Sequence, residues 1–363
     1  MLHLESVVKQ YSYGKRLFGA VDLTLRDGEV LSVLGGEGSG KTTLLKTIAG
    51  LEEHEGKITL DGVELKSKTD DVIMVFDDGA LFPFKTVFDN LAYPLKIRGV
   101  DKVEIAKIVV FAAESFGVSA CLGQRARTLT PLERRKVSLA RILMRKAKLI
   151  LIDDFLKGMP QEEIDHLFDR TTRVLYGLAK EGAVVIYTTS SPRYAYSFGD
   201  RTMVLVDGDV KEIGTFDDTW SNPDTVWSAQ AVDDCYNVIR GALSLENDKL
   251  NFDFCVFDTN YTIDVTCLKD RIAEDYVGKD VIMGWHGKDF VFDDNGLEIA
   301  VAFIKNLNGK IALQGDYDYS TLSVVVDDTP DNRKLKKIRF LPKVENALFF
   351  TLSENSIMKR KQK

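Results

Sequence analysis

The sequence predicts an α/β domain built on a mainly parallel sheet, followed by an all-β domain. Three observations carry that prediction. A glycine-rich loop, Gly35-Gly36-Glu37-Gly38-Ser39-Gly40-Lys41-Thr42-Thr43, lies between an apolar run at 30–34 and a helical stretch at 44–50. Short apolar runs then alternate with helix-length segments as far as residue 206, the pattern of parallel strands joined by crossover helices. Beyond about residue 235 apolar residues alternate one by one in short runs, the period of half-buried strands.

Strand, glycine loop and helix in that order form the context of a phosphate-binding P-loop. Glycines let backbone N–H groups turn inward around phosphates, and the helix N-terminus adds its partial positive charge. On this reading Gly35, Gly36, Gly38, Ser39, Gly40 and Thr43 form the cradle. Lys41 reaches the terminal phosphates, and the Thr42 hydroxyl holds Mg²⁺. The loop alone does not choose between a kinase, a GTPase and a transport ATPase.

At 363 residues the chain is too long for one ordinary core, which predicts two domains. The net charge of −7 argues against broad nucleic-acid binding. The opening residues lack a basic stretch followed by an apolar one, and no apolar run approaches 18 residues. Neither a signal peptide nor a membrane span is therefore expected. Cys121, Cys235, Cys255 and Cys267 show neither metal nor disulfide spacing, so reduced thiols and a cytoplasmic setting are expected.

In chain order, residues 3–8 and 21–34 read as strands. Tyr11 or Tyr13, ahead of the P-loop, either stacks on a nucleotide base or simply packs. Residues 56–62 alternate as a strand and close on Asp61-Gly62, a hairpin signal. A strand at 71–76 leads into helical spacing from Val87 to about Arg145. There Val103, Ile105, Ile108, Val109, Ala112 and Phe116 suit one amphipathic helix, and Val137, Leu139, Ile142 and Leu143 suit another. The apolar run 149–152 ends in Asp153-Asp154, and an acid closing a buried strand near a P-loop is a second Mg²⁺ contact. A helix at 162–180 and strands at 184–187 and 203–206 complete the first domain. Composition changes near Ser221-Asn222-Pro223-Asp224, and Asn295-Gly296 and Asn308-Gly309 read as hairpin turns. Residues 235–358 thus read as an all-β domain of oligonucleotide/oligosaccharide-binding (OB-like) shape. The basic end at 359–363 reads as a solvated terminus.

With these segments placed, nearly the whole chain resembles the ATPase subunits of ABC transporters. Among them it resembles the importer ATPases with a C-terminal β domain, the maltose, polyamine and glycerol-phosphate uptake group. Phe76-Asp77-Asp78-Gly79-Ala80-Leu81-Phe82-Pro83 followed by Thr86-Val87-Phe88-Asp89-Asn90-Leu91 is similar to the family's F-Q-x-x-A-L-F-P…T-V-x-x-N-I. The resemblance implies an ABC-type P-loop NTPase over 1–232, with a helical subdomain at about 84–147 and the β domain at 235–358. It further implies ATP and Mg²⁺ as ligands, with Thr42, Asp153 and Asp77 facing the metal. Implied partners are membrane-embedded permease subunits docking near Leu81, Phe82 and Pro83, and, indirectly, an extracellular solute-binding protein. The chain would then lie peripherally on the inner face of the cell membrane.

Departures from the family pattern converge on hydrolysis. The Q-loop glutamine is Asp77, the catalytic glutamate is Asp154, and the switch histidine is Ser190. The signature L-S-G-G-Q reads Leu129-Thr130-Pro131-Leu132-Glu133, and the S-A-L-D loop reads Lys157-Gly158-Met159-Pro160. In the family the signature of one subunit caps ATP held by another. Thr130 keeps a hydroxyl for that task, whereas Pro131 has no N–H and Leu132 adds a side chain where backbone must approach closely. Asp154 withdraws its carboxylate by about 1.5 Å relative to glutamate, and a misplacement near 1 Å can cost roughly a hundredfold in rate. The expected function is an importer's ATP-binding subunit with weak intrinsic hydrolysis, paired with a second ATPase subunit whose motifs are intact. The alternatives are a fully active homodimeric transport ATPase and an ATP-responsive regulatory module without a permease.

Overall fold

The computed structural model describes residues 1–10, 16–66, 69–76, 81–256, 259–307, 309–317 and 320–358. Expectations placed on Tyr11, Tyr13, Asp77 and the basic end 359–363 lie outside the described residues. The chain falls into two units, Met1–Phe216 and Asp217–Lys363. Residues 217–232, assigned to the first domain from sequence, thus group with the second. Their helix at Val226–Val232 packs Val226 and Ala229 in one apolar cluster with Tyr236, Ile282, Leu348 and Phe350.

The first unit opens with strands β1 (Leu2–Gln10), β2 (Arg16–Leu25) and β3 (Val30–Leu34), the last running into the glycine loop and helix α1 (Lys41–Ile48). Then come β4 (Glu55–Leu60), β5 (Val63–Glu64) and β6 (Val72–Val75). The turn between β4 and β5 is the expected one: Asp61 and Gly62 both have positive φ, 52° and 78°, as a tight two-residue hairpin requires. Three helices follow, α2 (Val87–Ile97), α3 (Lys102–Phe116) and α4 (Pro131–Ala140). The remainder is β7 (Leu149–Ile152), α5 (Gln161–Lys180), β8 (Val184–Thr189), α6 (Pro192–Phe198), β9 (Arg201–Val206) and β10 (Asp209–Gly214).

A six-stranded sheet runs β10-β9-β3-β8-β7-β6, flanked by an antiparallel sheet ordered β2-β1-β4-β5. Every neighbour pair in the larger sheet is parallel except β10 on β9. Its central strands β3, β7 and β8 are largely apolar and buried because both faces are covered. Val30, Ile150, Ile152, Val185 and Tyr187 point into a core shared with α2, α3, α4 and α5. Leu31, Val33, Leu149, Leu151 and Ile186 point the other way, against Leu44, Leu45 and Ile48 of α1 and the antiparallel sheet. β3 lies between β8 and β9, so the loop leaving it emerges at the carboxyl ends of the strands, where open α/β sheets bind ligands.

In the helical region Ile105, Val109, Ala112 and Phe116 are buried, whereas Val103 is exposed. Gly117, with φ 67°, ends α3 in the left-handed conformation. Ile142 is buried, but it sits in a 3-10 turn after α4 rather than in the helix. Val87 and Leu91, which follow the expected docking residues Leu81, Phe82 and Pro83, are fully buried core residues of α2.

The second unit contains α7 (Phe216–Ser221), whose first residue belongs to the first unit, and α8 (Val226–Val232). Its strands are β11 (Tyr236–Glu246), β12 (Lys249–Val256), β13 (Thr259–Asp264), β14 (Asp280–His286) and β15 (Phe290–Ala300). They continue as β16 (Phe303–Leu307), β17 (Lys310–Tyr317), β18 (Ser320–Asp327), β19 (Lys337–Pro342) and β20 (Leu348–Phe350). These strands form sheets ordered β13-β12-β11-β14-β20, β15-β19 and β16-β17-β18 around one core containing Phe252, Trp285, Phe340 and Phe349.

Asn295-Gly296 is not a hairpin turn. It lies within β15, where the register against β19 breaks and both Phe292 and Leu297 pair with Phe340. This is an extended bulge. Gly296 is required there because a Cβ would lie 2.5 Å from the Phe340 carbonyl oxygen. Gly296→Ala should therefore lower stability by about 1–3 kcal/mol, read from the midpoint of urea unfolding. Replacing the exposed Asn295 by alanine should cost less than about 0.5 kcal/mol.

Candidate nucleotide site

The glycine loop folds back over the carboxyl end of β3. Gly38 and Gly40 have φ of 79° and 100°, conformations that side-chain-bearing residues rarely adopt. A Cβ on Gly35 would lie 2.4 Å from the Leu205 carbonyl oxygen. The loop is sewn to the sheet through Gly35 N–H on the Thr189 carbonyl (3.2 Å), and Gly208 N–H donates to the Ser39 carbonyl (3.0 Å). Gly40 is the N-cap of α1, so the first amides of that helix face the loop.

The cavity in front of the loop, about 400 Å³, is lined by Glu37, Gly38, Ser39, Gly40, Lys41, Thr42, Thr43, Asp153, Asp154 and Lys157. Lys41 is buried, and its ammonium donates to the carbonyls of Gly35 (2.8 Å) and Gly36 (2.7 Å). Burial holds its pKa below the usual lysine range, with the charges of Asp154 and Asp153 opposing the shift. Thr42 Oγ1 donates to Asp153 Oδ2 at 2.7 Å, so the expected metal-facing hydroxyl and carboxylate are in contact. The Ser39 hydroxyl is buried without a hydrogen-bond partner among the described residues.

Asp153 is itself held from β8. Thr188 Oγ1 donates to Asp153 Oδ1 at 2.9 Å and accepts from the Asp154 N–H at 2.9 Å. Asp154 has φ 30°, a strained conformation that aspartate tolerates better than most residues. Burial raises its carboxyl pKa; Lys41 counteracts and Asp153 adds to the rise. Ser190 is exposed just beyond β8, outside the residues lining the cavity. Thr130, the N-cap of α4, is likewise exposed and outside it.

The structure also brings in residues that motif reading assigned no role. Thr188, the anchor of both aspartates, lies just beyond the strand expected at 184–187. Lys157 lines the cavity, with Nζ 3.0 Å from Glu37 Oε1. This ion pair, led by the hydrogen bond from Lys157, holds the Glu37 carboxyl below the usual range. A buried hydroxyl without a partner among the described residues, a loop that needs glycine at 35, 38 and 40, a buried ammonium and a Thr–Asp pair together fit a nucleotide polyphosphate with Mg²⁺. Ser39, Lys41 and the loop amides would hold the phosphates, and Thr42 and Asp153 the metal. The bound metal would supply charge neutralisation.

Fold and site define a P-loop nucleotide-binding protein. A family model described as ABC transporter matches residues 18–157. The chain is 30% identical over 321 residues to the trehalose/maltose import ATP-binding protein MalK of Thermococcus litoralis, covering 81% of this chain and 84% of that one. It is 28% identical over 284 residues to the sulfoquinovosyl glycerol transport ATP-binding protein SmoE of Agrobacterium fabrum, covering 77% of each. Its fold matches cbiO1 of Clostridium perfringens, part of an ABC transporter complex, with TM-score 0.55 at 21% identity over 61% of this chain and 90% of that one. The chain belongs to the ATP-binding subunits of ABC transporters.

A buried carboxylate with a raised pKa destabilises the native state when ionised. The native chain then binds the Asp154 proton more tightly than the unfolded chain, so stability falls as pH rises from the ordinary aspartate value through the raised one. Asp154→Asn should raise the melting midpoint by about 2–4 °C at neutral pH. The gain should fade as the pH is lowered towards about 4. Thermal melts of the two proteins across that range check this.

Proposed function

We propose that this chain is the ATP-binding subunit of an ABC importer, seated on permease subunits at the inner face of the cell membrane. It retains Mg-ATP, hydrolyses it slowly, and works opposite a second ATPase subunit with intact motifs. The observation that carries this reading is the first turn of α4. Thr130 accepts from Glu133 N–H (3.2 Å) and donates its own hydroxyl to the Glu133 carboxylate (2.8 Å), which also accepts from Thr130 N–H (2.9 Å). Pro131 has no N–H, and the Arg134 N–H is committed to the Thr130 carbonyl at 2.9 Å. The turn that would cap a neighbouring subunit's nucleotide engages the Thr130 hydroxyl and the N–H groups of Thr130, Glu133 and Arg134 within itself, and it adds a carboxylate. Two such turns in a homodimer would leave both nucleotides badly capped. With an intact partner, this chain's own nucleotide meets a competent cap and stays bound because Asp154 and Ser190 are poor substitutes for glutamate and histidine.

Docking on a permease is supported by the loop before α2. Asn90 fixes it, accepting from Phe82 N–H (2.8 Å) and donating to the carbonyls of Phe82 (3.1 Å) and Thr86 (2.9 Å). Phe82, Pro83 and Phe84 are exposed while Leu81 leans on the helical core. Phe82 packs edge-on against Tyr93, with ring centroids 5.0 Å apart. Phe82→Asp should release the chain from its permease with little change in the melting midpoint, because the residue is 41% exposed and loses only its surface contacts with Tyr93 and Lys85. A pull-down beside a thermal melt decides this, and retained association would remove the loop as the docking site.

Lys41→Ala should weaken Mg-ATP binding by more than about tenfold, because it removes the buried cation of the cradle; calorimetric titration measures it. For the pairing, the complex is purified from its native source and weighed. One copy of this chain with one different ATPase is the expected result. Two copies of this chain in a complex that transports robustly would overturn the proposal.

A further inference from the structure

We infer that Lys157 is a second phosphate-binding cation of the nucleotide cavity, and that Glu37 is the internal anion which the phosphates displace from it. This rests on the reading of the cavity as a nucleotide site. Lys157 lies in the loop leaving β7, and its backbone is pinned on both sides. Its N–H donates to the Asp154 carbonyl at 3.0 Å, and its carbonyl accepts from Arg135 Nη1 at 2.6 Å. Gly158, with φ 71°, then turns the chain away towards α5. The Lys157 side chain therefore extends from a fixed base at the cavity wall.

The charges in that wall are unbalanced for a polyphosphate. Glu37, Asp153 and Asp154 contribute carboxylates, and Lys41 and Lys157 the ammonium groups. A highly anionic ligand entering beside three carboxylates needs every cation the wall can present. Lys41 is buried within the loop, whereas Lys157 and Glu37 keep side-chain exposures of 51% and 80%. An ion pair this exposed is weakly held, so a phosphate oxygen can take the place of the Glu37 carboxylate on the same ammonium. The two lysines already feel each other across the cavity, since the charge of Lys157 contributes to depressing the pKa of Lys41. A lysine here also places a cation in the same chain as the P-loop, where Ser190 supplies none.

A displaceable counter-ion and a structural latch make opposite demands on the two partners. If phosphate competes with Glu37, removing the lysine weakens binding and removing the carboxylate tightens it. If the pair only braces the loop, both changes act in the same direction. The experiment is calorimetric titration of the full chain with Mg-ATP and with AMP, for the unsubstituted protein, Lys157→Ser, Lys157→Arg and Glu37→Gln, each with a thermal melt without nucleotide. Lys157→Ser should weaken Mg-ATP binding about tenfold and AMP binding much less, while Lys157→Arg stays near the unsubstituted protein. Glu37→Gln should tighten Mg-ATP binding several-fold. Unchanged Mg-ATP affinity in a normally folded Lys157→Ser, or weakened affinity in Glu37→Gln, would overturn the inference. Should Lys157→Ser fail to fold, the sign of the Glu37→Gln effect still decides. Failure of the unsubstituted chain to bind Mg-ATP at all would instead overturn the nucleotide reading beneath it.

Discussion

The Asp153 carboxylate is the joint on which the site depends. One oxygen accepts from Thr42 at the start of α1 and the other from Thr188 in β8, while its own N–H donates to the Val75 carbonyl at the end of β6. Three strands and the P-loop helix are thereby brought to a common point. The sheet order makes this possible, because β8 lies between β3 and β7 and carries Thr188 beside the end of each. The same threonine accepts the Asp154 N–H, so the positions proposed to face the metal and to act in hydrolysis are set by a single hydroxyl. A change at Thr188 would be felt at both, although that residue is itself buried behind them.

The phosphate cradle and the first turn of α4 have diverged. The proposed phosphate cradle keeps glycine at its positive-φ positions, Gly38 and Gly40. The first turn of α4 follows rules for a stable helix start instead: proline at N1 and a reciprocal Thr130–Glu133 capping box. Those features are stabilising because they satisfy the Glu133 amide and engage the Thr130 hydroxyl. Recognition of a neighbour's phosphates needs the same groups left open. Helix stability and cap function thus draw on one small set of donors, and in this chain stability has them.

What was legible in the sequence is what depends on nearby residues. The P-loop, the acidic end of β7 and the Asp61-Gly62 turn are local patterns, and each appears where its pattern places it. The capping box was also written locally, as Thr130-x-x-Glu133, but comparison with a motif drew attention to what was missing rather than to what the residues do for one another. Asn295-Gly296 misled because its need for glycine comes from the Phe340 backbone on a distant strand. Val87 and Leu91 share their pattern with neighbours that are exposed, and only the packing of α2 on the sheet core separates them. Lys157 and Thr188 could not be placed in the cavity from sequence, since their proximity to the P-loop is created by the sheet order.

On the proposed function, this chain holds ATP more readily than it breaks it. A rapid-quench experiment on stoichiometrically bound, γ-labelled ATP compares the rate of phosphate release from the isolated chain with the rate at which intact ATP dissociates. The account predicts that nearly all bound nucleotide leaves as ATP. Conversion of most of it to ADP before dissociation, abolished by Asp154→Asn, would contradict it.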